Sequence, residues 1–447
     1  MKKTVAVIMA VLLLGAAMIA CVPGTPDEAS AAEGTDATQT AETVEDSAAN
    51  QAEKLEIVFW HTYTDHHEEA LKKIVSAFNA SQDSYEVVME QQPYSEYAAK
   101  LMQAVGNGTG PDMVSMYPSD AINYINDGYI YDMSGFINDP ETGMPAFYSD
   151  VPAGVMADIT QWGDNGIYMI PEILTGEVLF YNKTMFDELG LSEPETWTDV
   201  ENCAKAIYQA YGIPGFGTDS ITDTYQCLIS QAGSGYIDAA SKSMDIDREI
   251  GIEKLNWFAD GVKDGYFRLV GEDMYFSNPF GSQAIGMYVG ASAGVDYVYM
   301  AIPEGEGHFE VGCCPIPQEG TVKYISNWAN GYVCLSVDEQ HARGVYTFMK
   351  YFTSTDVCVE WCKALGAVPA YLSALEDPAF QEYAASNIAV KALSEQTAFI
   401  GHLASIAGSA AVRTEIDKMV QTVALGVSDA DTAFDAFITN CNAALQE

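Results

Sequence analysis

The feature that most constrains this fold is the alternation of strand-like and helix-like segments that begins at Leu55. Leu55 to Trp60 is rich in β-branched and aromatic residues, which predicts a short buried strand. Asp65 to Asn79 follows, with apolar residues at helical spacing. The alternation continues and restarts at Gly176 to Tyr181. It predicts an α/β fold with a mainly parallel sheet, arranged as two lobes with a ligand cleft between them.

The N-terminus carries the pattern of an export signal. Lys2 and Lys3 precede an uncharged apolar run, 5–20, that ends at Cys21. A basic start, a short apolar core and small residues before a cut site are typical of a secretory signal, so we predict a signal peptide over 1–20. Met18 to Cys21 is similar to a bacterial lipobox, which predicts lipidation of Cys21. The segment 21–54 is rich in small and acidic residues, which predicts a disordered tether.

Charge excludes several kinds of partner. The chain has 20 basic and 63 acidic residues, a net charge of −43. Such a chain has too few cations to neutralise a phosphate backbone, so we predict no nucleic-acid partner. The cysteine spacings fit no metal set, and we predict no cofactor and no metal. Sequence leaves free and disulfide-bonded cysteines open, and a membrane contact is expected only through the lipid anchor.

Candidate ligand-binding residues follow the predicted strands, where open α/β sheets bind their ligands. Aromatic side chains can cover the apolar faces of sugar rings, while acids, amides and hydroxyls pair with sugar hydroxyls. The predicted ligand-binding residues are Trp60, Tyr63, Tyr94, Tyr117, Asp120, Glu172, Thr175, Ser292, Trp328 and Asn330.

Ser292 also supports an enzymatic alternative. Gly290 to Gly294 matches the G-x-S-x-G pattern of a nucleophile elbow, and His402 is a candidate partner. Too little strand-rich sequence follows to complete a hydrolase sheet. We therefore prefer a non-enzymatic reading, in which the small residues serve a hinge or a close approach to ligand.

An ordered set of short motifs resembles the extracellular solute-binding proteins of bacterial ABC importers, which include maltose- and glycerol-3-phosphate-binding proteins. The motifs include Gly110-Pro111-Asp112-Met113, Gly128 to Met133, Tyr168 to Pro171, Leu179 to Lys183, and Pro194-x-Thr196-Trp197. The resemblance runs from about Leu55 to the C-terminus. It implies a two-lobed periplasmic-binding-protein-like fold of type II, with a hinge between lobes of 55–160 plus 293–337 and of 165–288 plus 340–447.

The resemblance also implies a function and partners. It implies capture of a carbohydrate outside the cytoplasm and delivery to the transmembrane subunits of an ABC permease. Tyr94 and Thr175 match ligand-contacting positions of the glycerol-phosphate branch, which keeps a polyol phosphate as an alternative. The region of that branch's phosphate-binding Arg reads Gly401 to Ser405 here, so we favour a neutral mono- or oligosaccharide. A surface adhesin or sensor without transport is a further alternative.

Overall fold

A computed structural model describes residues 54–326, 328–335, 338–401 and 404–446. The side chains of Tyr94, Ser95 and Trp328 lie outside this description, as do the signal peptide and Cys21. No helix of the described residues is long and apolar enough to cross a membrane.

The strands of the described residues form two larger sheets and one small hairpin. They are β1 (Leu55–His61), β2 (Tyr85–Gln91), β3 (Met113–Met116), β4 (Ile170–Thr175), β5 (Glu177–Asn182), β6 (Phe216–Thr218), β7 (Ile237–Asp238), β8 (Ser243–Met244), β9 (Phe267–Arg268), β10 (Met287–Ala291), β11 (Val311–Cys314), β12 (Trp328–Cys334) and β13 (Val368–Pro369).

Helices follow most strands and cover the sheets. They are α1 (Asp65–Ser81), α2 (Tyr94–Gly106), α3 (Pro118–Asn126), α4 (Ser134–Ile137), α5 (Phe147–Asp150), α6 (Ala153–Ile159), α7 (Lys183–Leu189), α8 (Trp197–Tyr211), α9 (Ile221–Gln231), α10 (Arg248–Lys263), α11 (Ser277–Gly281), α12 (Val295–Ala301), α13 (Glu339–Phe352), α14 (Thr355–Leu365), α15 (Leu372–Leu375), α16 (Pro378–Ser386), α17 (Ile388–Ser394), α18 (Ser409–Ala424) and α19 (Ala430–Leu445).

The first sheet has the strand order β13-β4-β12-β3-β1-β2. Its strands β2, β1 and β3 are parallel, whereas β12, β4 and β13 pair antiparallel. Phe59 of β1 is fully buried and packs on Tyr332 of β12 and Phe348 of α13. These aromatic contacts join the first and last thirds of the chain into one core.

The second sheet has the order β11-β5-β10-β6-β9. Only Gly176 separates β4 in the first sheet from β5 in the second, and the chain crosses back between β11 and β12. Each sheet with its helices forms one lobe, and these crossings join the two lobes. Both sheets are mixed, not mainly parallel as predicted, because the crossing strands run against the parallel βα units.

The pairing also differs from the predicted division of the lobes at three strands. β4 and β13 lie in the first sheet, although the sequence division grouped them with the second lobe. β11 lies in the second sheet, although that division grouped it with the first. Short strands beside a crossover carry no local mark of the sheet that they will join, so the exact lobe boundaries stay a prediction.

All the cysteines that the structure describes are free. Cys313 is half-buried and the others are buried, which suits small apolar side chains packed within each lobe.

Candidate functional site

A cavity of about 520 Å³ opens beyond the carboxyl ends of β1 and β3, and we call it the main cavity. Its size is within the range of small-molecule sites. Ala293, just after β10, brings the second lobe to the same cavity. The lining residues are Trp60, His61, Thr62, Tyr63, His67, Tyr97, Ala98, Ser115, Met116, Tyr117, Asp120, Ile173, Thr175, Ala293, Asn330 and Leu365.

Six of the ten residues predicted from sequence line the main cavity. They are Trp60, Tyr63, Tyr117, Asp120, Thr175 and Asn330. The side chains of Tyr94 and Trp328 lie outside the described part of the structure. Glu172 and Ser292 are 1% and 0% exposed and are not among the lining residues. The structure therefore does not bring these two side chains to the cavity surface, and their contact with a ligand stays a prediction.

Glu172 lies behind the cavity wall as the acceptor of a dense hydrogen-bond network. Its Oε1 accepts from Tyr63 Oη at 3.0 Å, Tyr332 Oη at 2.7 Å and Trp361 Nε1 at 2.7 Å. Its Oε2 accepts from Ser115 Oγ at 2.5 Å and Asn330 Nδ2 at 3.4 Å. Burial raises the pKa of Glu172, and the hydrogen bonds from Ser115, Tyr332, Trp361 and Tyr63 oppose that rise. Three of the donors, Tyr63, Ser115 and Asn330, also line the cavity.

A register shift in the pairing of β4 with β12 accompanies the buried position of Glu172. Asn330 pairs with Ile173 and Gly331 pairs with Pro171, so Glu172 has no partner residue on β12. Such an extra residue interrupts the alternation of side chains along a strand. The shift depends on how two distant segments pair, and the sequence of β4 alone does not predict it.

Ser292 is buried in a 3₁₀ turn, Ser292–Gly294, directly after β10. Its amide donates to the Gly176 carbonyl at 2.8 Å, while its Oγ has no partner among the described residues. The Ser292 hydroxyl is therefore not exposed to the main cavity. The proposed esterase partner His402 lies outside the described residues.

Sequence reasoning missed Tyr97 and Ser115 as cavity residues. Tyr97 lies in the first turn of α2, and a helix that follows a strand begins at the ligand edge of the sheet. Burial is the largest cause of the raised pKa of Tyr97. Ser115 lies within β3, and only its pairing position brings its hydroxyl to the cavity.

The cavity is polar without being basic. None of its described lining residues is Lys or Arg. Burial lowers the pKa of His67, with neighbouring His66 as the second cause, which favours the neutral ring at pH 7. Burial raises the pKa of Asp120 above its ordinary value. The cavity therefore presents one acidic side chain and several neutral polar groups to a ligand.

Trp60 contributes one edge of this wall and is itself firmly held. Its Nε1 donates to Glu90 Oε2 at 2.7 Å, and the Lys100 ammonium lies 4.9 Å from its ring centroid. These contacts fix the ring orientation, which makes Trp60 a preformed apolar surface.

Two further cavities extend the cleft towards the second lobe. A narrow one of about 50 Å³ lies between Tyr117 and Ser119, at the start of α3, and Tyr236 and Arg413 of the second lobe. The other, about 570 Å³, is lined largely by second-lobe residues. Tyr117 lines both the main and the narrow cavity, and Tyr236 lines both the narrow and the second-lobe cavity. The three cavities thus follow one another along a single cleft.

Arg413 is bound in a bidentate ion pair. Its Nη1 and Nη2 each donate to a carboxylate oxygen of Asp223 at 2.9 Å, and Ser326 Oγ donates to the same carboxylate at 2.9 Å. Asp223 is fully buried and Arg413 is about one-third exposed. This arrangement ties α9, α18 and a segment between the sheets together.

Among the described residues, no group of three or more His, Cys, Asp or Glu side chains is arranged to hold a metal.

Comparison with known proteins places the chain in a family. The family described as bacterial extracellular solute-binding protein matches residues 73–388. The sn-glycerol-3-phosphate-binding periplasmic protein UgpB of Brucella abortus is 22% identical over 87% of this chain and 93% of its own length. The galactooligosaccharide-binding protein of Bacillus subtilis is 23% identical over 87% and 89%.

Solved structures agree on the fold. The crystal structure of the cyclic α-maltosyl-1,6-maltose binding protein from Arthrobacter globiformis has a TM-score of 0.76 and 21% identity, and covers 88% of this chain and 99% of its own. This match confirms the predicted two-lobed periplasmic-binding-protein-like fold. With most of its length matched by the family, this chain belongs to the bacterial extracellular solute-binding proteins.

Proposed function

We propose that this protein captures a neutral carbohydrate in the cleft and delivers it to the permease of an ABC importer. The observation that carries the proposal is the main cavity, where four aromatic rings meet hydroxyl, amide and carboxylate groups without a lining Lys or Arg among the described residues. The rings belong to Trp60, Tyr63, Tyr97 and Tyr117.

This combination suits a sugar. A pyranose ring has apolar C–H faces that an aromatic plane covers, and hydroxyls that need partners around the rim. Asp120 and Thr175 would supply such partners within the same cavity. The names of the related proteins, one of which binds galactooligosaccharides and one cyclic maltosyl-maltose, support the same ligand class.

A phosphate-bearing ligand is less well supported, although one relative is named for binding sn-glycerol 3-phosphate. Phosphate is usually held by an Arg fork or a helix N-terminus. Arg413 lines the narrow cavity, but both of its terminal nitrogens donate to Asp223. The main cavity presents Asp120 and has no Lys or Arg among its described lining residues, so it offers an anion no strongly basic partner.

The length of the cleft favours more than one sugar ring. The main and second-lobe cavities measure about 520 and 570 Å³, and the narrow cavity lies between them. We expect an oligosaccharide to extend from the aromatic wall of the first lobe past Tyr117 and Tyr236.

The proposal includes a location. The N-terminal apolar run and Cys21 favour export and lipid attachment, which would hold the protein at the outer face of the cell membrane beside its permease. Mass spectrometry of membrane-extracted protein should find a diacylglyceryl group on Cys21. An unmodified or uncleaved N-terminus would contradict this part of the proposal.

The direct test is isothermal titration calorimetry of residues 54–447 against neutral mono- and oligosaccharides, with sn-glycerol 3-phosphate in parallel. We expect heat of binding from at least one neutral sugar, and tighter binding of a di- to tetrasaccharide than of its monosaccharide. Binding of sn-glycerol 3-phosphate alone would favour the polyol-phosphate alternative. No binding of any sugar would overturn the proposal.

A further inference from the structure

Glu172 is buried and does not line the main cavity, yet it is hydrogen-bonded to residues that do. Its carboxylate receives five side-chain donors, and three of those side chains belong to the cavity wall. Trp361 Nε1 and Asn330 Nδ2 carry hydrogens and no lone pair to offer, so they can only donate. This donor set is matched to an acceptor-only group, which is a carboxylate.

A hydroxyl has one hydrogen to donate and two lone pairs that accept. Ser115 gives its hydrogen to Glu172 Oε2 at 2.5 Å, and Tyr63 gives its hydrogen to Glu172 Oε1 at 3.0 Å. Both side chains are half-buried and line the main cavity. Because both hydroxyl hydrogens are donated to Glu172, the oxygens of Ser115 and Tyr63 can only accept hydrogen bonds from a ligand.

We infer that Glu172 is a specificity-determining residue, which acts by turning Ser115 and Tyr63 into acceptors and so selects ligands that donate hydroxyl hydrogens. The inference rests on the proposed sugar-binding function and deepens it. A sugar hydroxyl donates readily to such a wall. A phosphate dianion has oxygens that only accept, so it would face lone pairs at Ser115 and Tyr63 and the Asp120 carboxylate nearby.

The same geometry predicts what an amide would do at this position. In Glu172→Gln, the carbonyl oxygen would remain with Trp361, Tyr63 and Tyr332, because the Trp361 N–H cannot accept a hydrogen bond. The new NH₂ would then face Ser115 and Asn330. Ser115 would accept from this NH₂ and release its own hydrogen towards the cavity, which reverses the polarity of that part of the wall.

The experiment measures affinities of the wild type, E172Q, S115A and the double variant for two probes. The probes are the tightest-binding neutral sugar of the calorimetric panel and sn-glycerol 3-phosphate. We expect E172Q to weaken sugar binding roughly tenfold, because one well-placed hydrogen bond to the sugar is lost. The ratio of sugar affinity to phosphate affinity should fall at least as much. In the S115A background, E172Q should have a markedly smaller effect on the sugar.

Tyr332→Phe is the matched structural control. It removes one hydrogen bond to Glu172 from a fully buried side chain that is not among the lining residues. We expect it to lower the melting temperature while leaving both affinities within about twofold, well under the tenfold step that one such bond represents. E172Q should differ from it by changing the affinity ratio, which a purely structural role would not move.

Several outcomes would overturn the inference. An unchanged affinity ratio in folded E172Q would do so, and so would an equal effect of E172Q with and without Ser115. If E172Q does not fold, S115A decides alone, because sugar affinity equal to that of the wild type would exclude Ser115 as an acceptor. Failure of the wild type to bind any sugar would overturn the proposed function as well, whereas wild-type binding with an unaltered ratio in E172Q would overturn this inference only.

Discussion

Some residues of this site face the cavity, where they can contact a ligand, whereas others are buried and support the surrounding structure. Glu172 is buried with five donors, whereas Asp120 is exposed to the main cavity. Both acids follow or lie within strands of the first sheet, so position in the sequence alone gave them the same role. What distinguishes Glu172 is its place at the register shift between β4 and β12, where its carboxylate is surrounded by side-chain donors.

Asp120 provides the clearest residue-scale prediction. In Asp120→Asn, the cavity loses a carboxylate acceptor while the shape of the side chain is kept. A hydrogen bond to a charged group contributes about 1.5 to 3 kcal/mol, so we expect sugar affinity to fall roughly tenfold or more in calorimetry. Asp127→Asn, at the exposed end of the same helix, is the control and should leave the affinity unchanged. Equal affinities of D120N and the wild type would remove Asp120 from the site.

Asp219 predicts a pH dependence of stability. Burial raises the pKa of Asp219 to about 7, while its amide contact from Phe276 lowers it. The folded chain therefore keeps a proton that the unfolded chain releases near pH 4, so this residue lowers the free energy of unfolding as pH rises from about 4 to about 7. Asp219→Asn should remove that decline.

The measurement is urea denaturation of wild type and D219N at pH 5 and pH 8. We expect the stability of D219N relative to the wild type to increase by on the order of 2 kcal/mol across this interval, after allowance for partial solvent screening. Asp83→Asn, on an exposed turn, is the matched control and should run parallel to the wild type. Parallel pH curves for D219N and the wild type would contradict the prediction.

At the scale of elements, local signals placed many helices and strands correctly. The sequence from Pro194 to Asp199 is typical of a helix entry, and the structure has a capping box there. Thr196 Oγ1 accepts from the Asp199 amide at 3.1 Å, and Asp199 Oδ2 accepts from the Thr196 amide at 3.0 Å. Helix α7 ends at Gly190, where a φ of 65° suits glycine. These features are encoded within a few residues.

Non-local elements were not predicted. β4 escaped detection because Pro171 and Glu172 interrupt an otherwise apolar run, and its strand character comes from pairing with β12 and β13. The mixed direction of both sheets has the same origin. Tyr97 and Ser115 were missed as cavity residues for the same reason, because they reach the cavity only through the packing of α2 and β3.

The capping box gives an element-scale prediction. Thr196→Ala removes the side-chain acceptor of the first turn of α8, and we expect the free energy of unfolding to fall by about 1 kcal/mol. Thr196→Ser keeps the hydroxyl and should recover most of this loss in the same denaturation experiment. Sugar affinity should be unchanged in both, because Thr196 is not among the residues lining the main cavity. A loss of stability as large in T196S as in T196A would show that the threonine methyl group, not the cap, is responsible.

At the scale of the whole molecule, the two lobes share a cleft, and few segments of the chain cross from one lobe to the other. Gly176 alone links β4 to β5, and the cleft is lined by residues of both lobes from Tyr117 to Tyr236. A ligand that contacts both walls favours the conformation in which the walls are closest. Capture should therefore be accompanied by closure of the lobes about the crossing segments.

Small-angle X-ray scattering tests this expectation. We expect the radius of gyration of residues 54–447 to fall when the tightest-binding sugar of the panel is added to saturation. D120N at the same sugar concentration should show a smaller fall, because fewer molecules are occupied, and should reach the wild-type value when more sugar is added. This dependence on occupancy links closure to the ligand and separates it from a general effect of sugar on the solvent. A scattering profile that stays constant while calorimetry shows saturation would mean that the cleft binds sugar without closing, and that the permease recognises occupancy by another route.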